Sequence, residues 1–156
     1  MAFVYVNSMI ESFAEFQDVL DHDQRLFDSN EGLSDTVVYP LLVRSTERIL
    51  TKIQSTQWYK DNAPNTMIDA SYILTRHNDF TDLCVYTAMS QYILPLIADF
   101  GTPDNAEIEK MKFYENKMNQ LFGELIEDGD WYDWDNDGQI NPSEVKPGRT
   151  LPRRIR

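Results

Sequence analysis

Apolar residues recur at intervals of three and four along much of the chain, the spacing that places them on one face of an α-helix. Such stretches cover about residues 13–20, 38–53, 80–96 and 111–125. The last is the most regular and carries Met111, Tyr114, Met118, Leu121, Phe122 and Leu125. The pattern predicts a mainly α-helical protein, a small helical bundle with one long amphipathic helix.

Polar residues between these stretches predict where the first two helices begin. Residues 2–6 are apolar and are expected to be extended, and the capping boxes Ser8 to Glu11 and Ser12 to Glu15 compete for the start of the first helix. The second helix is expected to begin at Ser34 or Asp35. Pro40 lies inside its apolar pattern and predicts a kink or a later start, because proline lacks the backbone N–H.

The later boundaries carry clearer signals. An extended segment is expected from Met67 to Leu74, and Asn78 or Asp79 is expected to cap the third helix, which should stop at Gly101. Thr102-Pro103-Asp104 combines a cap, a first-turn proline and an acid, and therefore predicts the start of the long helix. Gly129 is expected to end that helix.

Composition favours one acidic domain. The chain has 156 residues, of which 42% are hydrophobic, and its formal charge is -12. Residues 146–156 contain five basic residues and no acidic one, so residues 1–145 hold nine basic and 26 acidic residues, a formal charge of -17. Such a body repels nucleic acid and anionic membranes. The single cysteine, Cys84, excludes an internal disulfide, and no signal peptide or membrane span is evident.

The stretch from Asp133 to Glu144 matches the twelve-residue calcium loop of an EF-hand position by position. Acidic side chains on alternate residues of a tight turn can converge on one hard cation, and Gly138 stands where the backbone must turn sharply. The predicted calcium ligands are Asp133, Asp135, Asp137, Gln139 through its carbonyl, and Glu144. The sequence therefore predicts a structural Ca²⁺ site after the long helix.

The surroundings of this loop differ from those of an EF-hand. Pro147 and Gly148 leave room for about one helical turn after Glu144, and there is no second loop with which to pair. The loop is therefore interpreted as a fixed clamp, not a sensor. The expected organisation is a single domain with a helical body (1–130), a cation-binding loop (131–145) and an extended basic C-terminal arm (146–156).

The arm is predicted to bind an acidic partner surface in an extended conformation. Arginines can form bidentate hydrogen bonds to carboxylates, and two spaced apolar side chains can fill pockets. The alternative is a solvated, disordered terminus. The residues expected to contact the partner are Arg149, Leu151, Pro152, Arg153, Arg154, Ile155 and Arg156.

Catalysis has little support in the sequence, and the protein is predicted not to be an enzyme. His22 lies between Asp21 and Asp23, an arrangement more often found in a solvated turn than in an acid-base pair. His77 and Cys84 are two helical turns apart, too far to share a hydrogen bond as base and nucleophile.

The overall layout resembles the adaptor, or head completion, proteins of tailed bacteriophages. The resemblance lies in a short N-terminal segment, a few helices, and a long helix ending at Leu125-Ile126-Glu127-Asp128-Gly129. An acidic Tyr-Asp-Trp-Asp-Asn-Asp-Gly turn and a basic tail complete it. It implies a non-enzymatic virion protein at the head-tail junction, assembled in the host cytoplasm as a ring of about twelve copies beneath the portal.

The same resemblance implies partners. Residues 149–156 of the arm would dock on the portal, other surfaces would receive neck or tail proteins, and DNA would pass through an acidic lumen without specific binding. The alternative left open by the sequence is a small monomeric calcium-binding regulatory protein whose basic tail recognises a target.

Overall fold

The computed structural model describes residues 3–30, 32–62, 67–98, 101 and 105–140. It confirms a mainly helical fold with a small two-stranded sheet. Glu144 and the arm lie outside the described residues. The elements in chain order are β1 (Val4–Val6), β2 (Met9–Ser12), α1 (Phe16–His22), α2 (Gln24–Ser29), α3 (Asp35–Gln54), α4 (Gln57–Asn62), a 3-10 turn (Ala70–Tyr72), α5 (His77–Ala88), a π-helical turn (Met89–Ile93), α6 (Leu94–Ile97) and α7 (Ala106–Asp128).

The chain begins with a β-hairpin. β1 and β2 pair antiparallel, with Val6 opposite Met9, and the two residues between them, Asn7 and Ser8, both have positive φ. This is the backbone of a tight two-residue hairpin turn, which asparagine favours. Residues 4–6 are extended as expected, but the start of a helix at Ser8 is wrong because Met9–Ser12 forms the return strand.

The helix start predicted at Ser12 is also wrong. The Ser12 hydroxyl donates to the carbonyl of Ala14 at 2.6 Å, and Thr46 and Thr81 bond the N–H and carbonyl of Phe13 at 3.0 and 2.7 Å. These bonds hold the strand end against α3 and α5, so α1 begins only at Phe16. The Asp18 carboxylate accepts a hydrogen bond from the Glu15 N–H at 2.9 Å and thereby caps the start of α1.

Helix α3 runs through Pro40 without a later start, since it begins at Asp35. The missing N–H falls near the beginning of a long helix, and burial of Leu42, Ile49 and Ile53 stabilises the rest. The chain then turns into the short α4. The segment expected to be extended, Met67 to Leu74, instead contains the 3-10 turn followed by a single β-bridge residue, Ile73.

Helix α5 continues through the π-helical turn into α6. Pro95 has no N–H to offer the preceding turn, and the wider turn lies directly before it. The helical stretch ends at Ile97, earlier than predicted, and Leu96 is 61% exposed although the pattern placed it on the apolar face.

Helix α7 packs along α5 and the π-helical turn. It begins at Ala106 with the Asn105 side chain accepting from the N–H of Glu107 at 2.9 Å, so the described cap is Asn105; the predicted cap residues 102–104 lie outside the described residues. Its end at Asp128, with Gly129 in the left-handed conformation, is as predicted. Among the described residues, no helix is both long and apolar enough to cross a membrane.

Candidate metal centre

The acidic loop after α7 begins inside the protein core. Its first limb, residues 131–133, lies against residues 72–74: Leu74 N–H donates to the Trp131 carbonyl at 3.0 Å, and Asp133 N–H donates to the Tyr72 carbonyl at 2.9 Å. These bonds form an antiparallel bridge between Ile73 and Tyr132. The body therefore fixes the position at which the first predicted ligand, Asp133, enters the loop.

Aromatic side chains anchor this first limb. Trp131 is fully buried, its indole N–H donates to the Leu125 carbonyl at 2.7 Å, and its ring packs on Trp58 and Phe80 with centroids 5.0 and 4.9 Å away. The Tyr132 hydroxyl accepts from the Asp69 N–H at 3.1 Å, and burial raises the pKa of Tyr132 above its usual value. The start of the loop is thus part of the core and not an appendage.

An arginine compensates the acidic end of α7. Arg76 lies 2.9 Å from Asp128 and 2.7 Å from Asp130, each measured from guanidinium nitrogen to carboxylate oxygen, and 3.5 Å from Asp79. The hydrogen bond to Asp130 is the largest contribution raising the pKa of Arg76, against an opposing contribution from desolvation. A side chain of the body therefore supplies one positive charge at this acidic turn.

Arg76 occupies a strained position. Its φ is 59°, in the left-handed region, immediately before α5. The Thr75 hydroxyl also donates to the Asp130 carbonyl at 3.1 Å, so residues 75 and 76 together hold the segment between α7 and the loop. No local sequence signal pairs residues about fifty positions apart, which is why this clamp was missed.

The three predicted aspartates converge. Asp133, Asp135 and Asp137 each offer a carboxylate oxygen, and these oxygens lie within 4.8 Å of one another. Asp133 is buried, with 1% exposure, whereas Asp135 and Asp137 lie on the exposed second limb, residues 135–139. One buried and two exposed carboxylates therefore face a common point at the surface.

Backbone hydrogen bonds orient these carboxylates. Asp133 accepts from the N–H groups of Gly138 and Asp137 at 2.9 and 3.3 Å, and Asp137 accepts from the N–H of Gln139 at 2.9 Å. Positive φ at Asn136 (57°) and Gly138 (85°) closes the turn. A side chain at Gly138 would meet no neighbour but would be strained by that φ, so glycine is required here for its backbone conformation.

This arrangement fits a hard cation. Two oxygens that both lie about 2.4 Å from one calcium ion can be at most about 4.8 Å apart, and the three carboxylates meet that limit. Local desolvation, and next the hydrogen-bonded carboxyl of Asp133, raise the pKa of the exposed Asp135. Clustered negative charge of this kind is what a divalent ion would neutralise.

The remaining predicted ligands are only partly described. Gln139 follows the aspartates on the exposed limb, and Ile140 is half-buried. Glu144 lies outside the described residues, as do the predicted partner-binding residues Arg149, Leu151, Pro152, Arg153, Arg154, Ile155 and Arg156.

Comparison of the chain with protein-family models, curated proteins and solved structures gave no significant match.

Proposed function

We propose that this protein is a non-enzymatic virion assembly protein, an adaptor ring that joins the portal to the neck and tail of a tailed bacteriophage. The observation that carries the proposal is the anchoring of residues 131–133 to residues 72–74, next to the Arg76 clamp on Asp130. A chain held in this way enters the loop at a fixed place and in a fixed direction. The basic arm follows the loop in the sequence, so it would leave the body reproducibly in every subunit.

The proposed role of calcium is structural. Asp133, Asp135 and Asp137, completed by Gln139 and Glu144, would bind Ca²⁺ and join the anchored limb to the exposed one. A bound ion would remove the repulsion among the carboxylates and hold the segment that leads to the arm.

The environment of the single thiol disfavours catalysis by a cysteine nucleophile. Cys84 is fully buried beside Thr46, and burial raises the pKa of its thiol to about 12. The thiolate needed for nucleophilic chemistry is therefore strongly disfavoured at neutral pH.

Terbium luminescence tests the cation site. Trp131 and Trp134 adjoin the loop and can sensitise a lanthanide bound there. The full-length protein is expected to show saturable luminescence that calcium competes away and that Glu144→Ala weakens. Glu124→Gln, an exposed acid on α7, serves as the matched control and should leave the titration unchanged. Equal luminescence in the Glu144→Ala variant would refute the site.

Mass measurement tests the assembly role. The full chain is expected to form a ring of about twelve copies, either alone or upon mixing with portal rings purified from the virions that contain this protein. Replacing Arg153 and Arg154 by glutamine should abolish the portal complex while circular dichroism stays unchanged. If neither ring nor portal complex forms at any concentration, the connector role is wrong.

The second candidate is a monomeric calcium-binding regulatory protein with a target-binding tail. The converging aspartates favour it as much as they favour the adaptor, because both use the same ion. A monomer whose hydrodynamic radius changes upon calcium addition would support the regulator and contradict the adaptor. The anchored first limb argues against a large opening, since residues 131–133 are bonded to the core.

A further inference from the structure

An open groove of about 620 Å³ lies on the body where β1 meets the first turns of α1 and α3. Apolar surface from Val4, Phe16, Tyr39 and Pro40 forms much of its wall. The groove also presents the exposed carboxylates of Glu15 and Asp35. Among the described residues that line it, none is basic.

A third carboxylate strengthens the negative character of this groove. The hydroxyl of Tyr39, a residue that lines the groove, donates to the Glu11 carboxylate at 2.5 Å. Burial first, and then this bond and the charges of Glu11 and Asp35, raise the pKa of Tyr39 to about 12. The surface therefore combines apolar contact area with three nearby acids, and its complement is an extended, basic segment with spaced apolar side chains.

The arm has that chemistry. Residues 149–156 carry four arginines, together with Leu151 and Ile155, and the arm as a whole contains no acid. Arginine can form two parallel hydrogen bonds to one carboxylate, while the apolar side chains can fill a groove of this size.

A short series of contacts connects the groove with the start of the loop. At the groove end, Val4 follows Phe3, and the ring centroids of Phe3 and His77 are 4.5 Å apart. At the loop end, Arg76, the residue before His77, forms an ion pair with Asp130. The segment from Ile140 to Arg149 can span up to about 30 Å when extended. A tethered segment meets its own groove at an effective concentration near millimolar, far above the concentration of other copies in dilute solution.

We propose that the arm of each free subunit docks in its own groove, with arginines on Glu15 and Asp35 and with Leu151 and Ile155 against Phe16 and Tyr39. This docking goes beyond the proposed connector function, because it assigns the arm a seat on the body in the absence of a portal. An acidic portal surface would then compete with the groove for the same residues.

Paramagnetic broadening tests the docking in the full-length protein. A cysteine added after Arg156 carries a nitroxide spin label, while buried Cys84 with its raised pKa stays unlabelled in the folded state. We expect the backbone amides of Val4, Gln17 and Thr36 to lose more than half of their intensity relative to the reduced label. The loss should not change upon dilution.

Charge variants make the test specific. Glu15→Gln with Asp35→Asn should restore the groove amide intensities, as should salt near 1 M, where the Debye length is about 3 Å. The matched control is the double variant Glu47→Gln with Glu109→Gln, which removes two exposed acids on helices. Glu109 lies in the first turn of α7, just as Asp35 lies in the first turn of α3. This control should keep the broadening.

Two results would overturn the proposal. The first is full intensity of the groove amides in the labelled protein. The second is comparable broadening of isotope-labelled chains that carry no nitroxide when they are mixed with spin-labelled chains, since this places the arm on another copy. Either failure leaves the terbium and ring-mass tests of the connector role untouched.

Discussion

The two limbs of the acidic loop are neighbours in sequence but differ in what holds them. Residues 131–133 are buried, bonded to residues 72–74 and packed among aromatic rings. Residues 135–139 are exposed, and the hydrogen bonds seen there run mostly between aspartate carboxylates and backbone N–H groups of the same loop. Folding of the body therefore determines the first limb, whereas the second depends on local turns and on the proposed ion.

This difference separates stability from cation binding. A substitution on the first limb should change the free energy of unfolding with or without calcium. A substitution on the second limb should act mainly on calcium affinity, because residues 135–139 are exposed and their carboxylates lie at the proposed site.

The largest effect is expected for Trp131→Ala. Removal of this fully buried ring leaves a cavity beside Trp58 and Phe80 and leaves the Leu125 carbonyl without the indole donor. Cavity formation of this kind costs about 3 to 5 kcal/mol. Urea denaturation in the presence of a calcium chelator should show this loss in the free energy of unfolding. The control is Met67→Ala, at a side chain that is 76% exposed, which should change the free energy of unfolding by less than about 0.5 kcal/mol. A loss below about 1 kcal/mol would mean that the first limb is not part of the core.

Calcium itself should have the next largest effect. A ligand that binds only the folded state at a hundred times its dissociation constant stabilises that state by about 2.7 kcal/mol. Urea denaturation with calcium and with chelator should show this difference in the unaltered protein. The difference should be clearly smaller in Glu144→Ala, and magnesium at equal ionic strength should also give a smaller one. Equal stabilisation of the variant would contradict a site completed by Glu144.

Arg76→Ala should lower the free energy of unfolding by about 1 kcal/mol, the size expected when a partly exposed network of ion pairs is lost. Arg76→Gly should recover about half or more of this loss, because glycine adopts the left-handed conformation without strain. A double-mutant cycle with Asp130→Asn measures the coupling. If the effects of the two substitutions on the free energy of unfolding are additive, the ion pair between Arg76 and Asp130 does not stabilise the fold.

The smallest effects compare the limbs directly, in chelator. Asp133→Asn should destabilise the protein by about 1 kcal/mol, because a charged acceptor for the N–H of Gly138 is lost. Asp135→Asn should change the free energy of unfolding by less than about 0.5 kcal/mol, since it removes an exposed charge close to two others. Both should weaken terbium binding. If Asp135→Asn destabilises the protein more than Asp133→Asn does, the first limb does not contribute more to stability than the second, and the proposed separation is wrong.

Local patterns were sufficient for much of the helical fold. The apolar spacing located the main helices, and Gly129 marked the end of α7, because both signals act within a few residues. The same holds for the acidic loop, where convergence of Asp133, Asp135 and Asp137 follows from alternation and turn formation. The start of α1 was missed, since Thr46 and Thr81 compete from distant helices for the backbone of Phe13.

The sequence by itself determined a helical, acidic body, a loop with calcium-binding spacing and a basic arm, because each depends on neighbouring residues. Only the tertiary structure decided that the first limb lies in the core, that Arg76 compensates the acidic end of α7, and that an acidic groove forms beside β1. These features join residues tens of positions apart. Their pairing depends on how the helices pack, which no short stretch of the chain encodes.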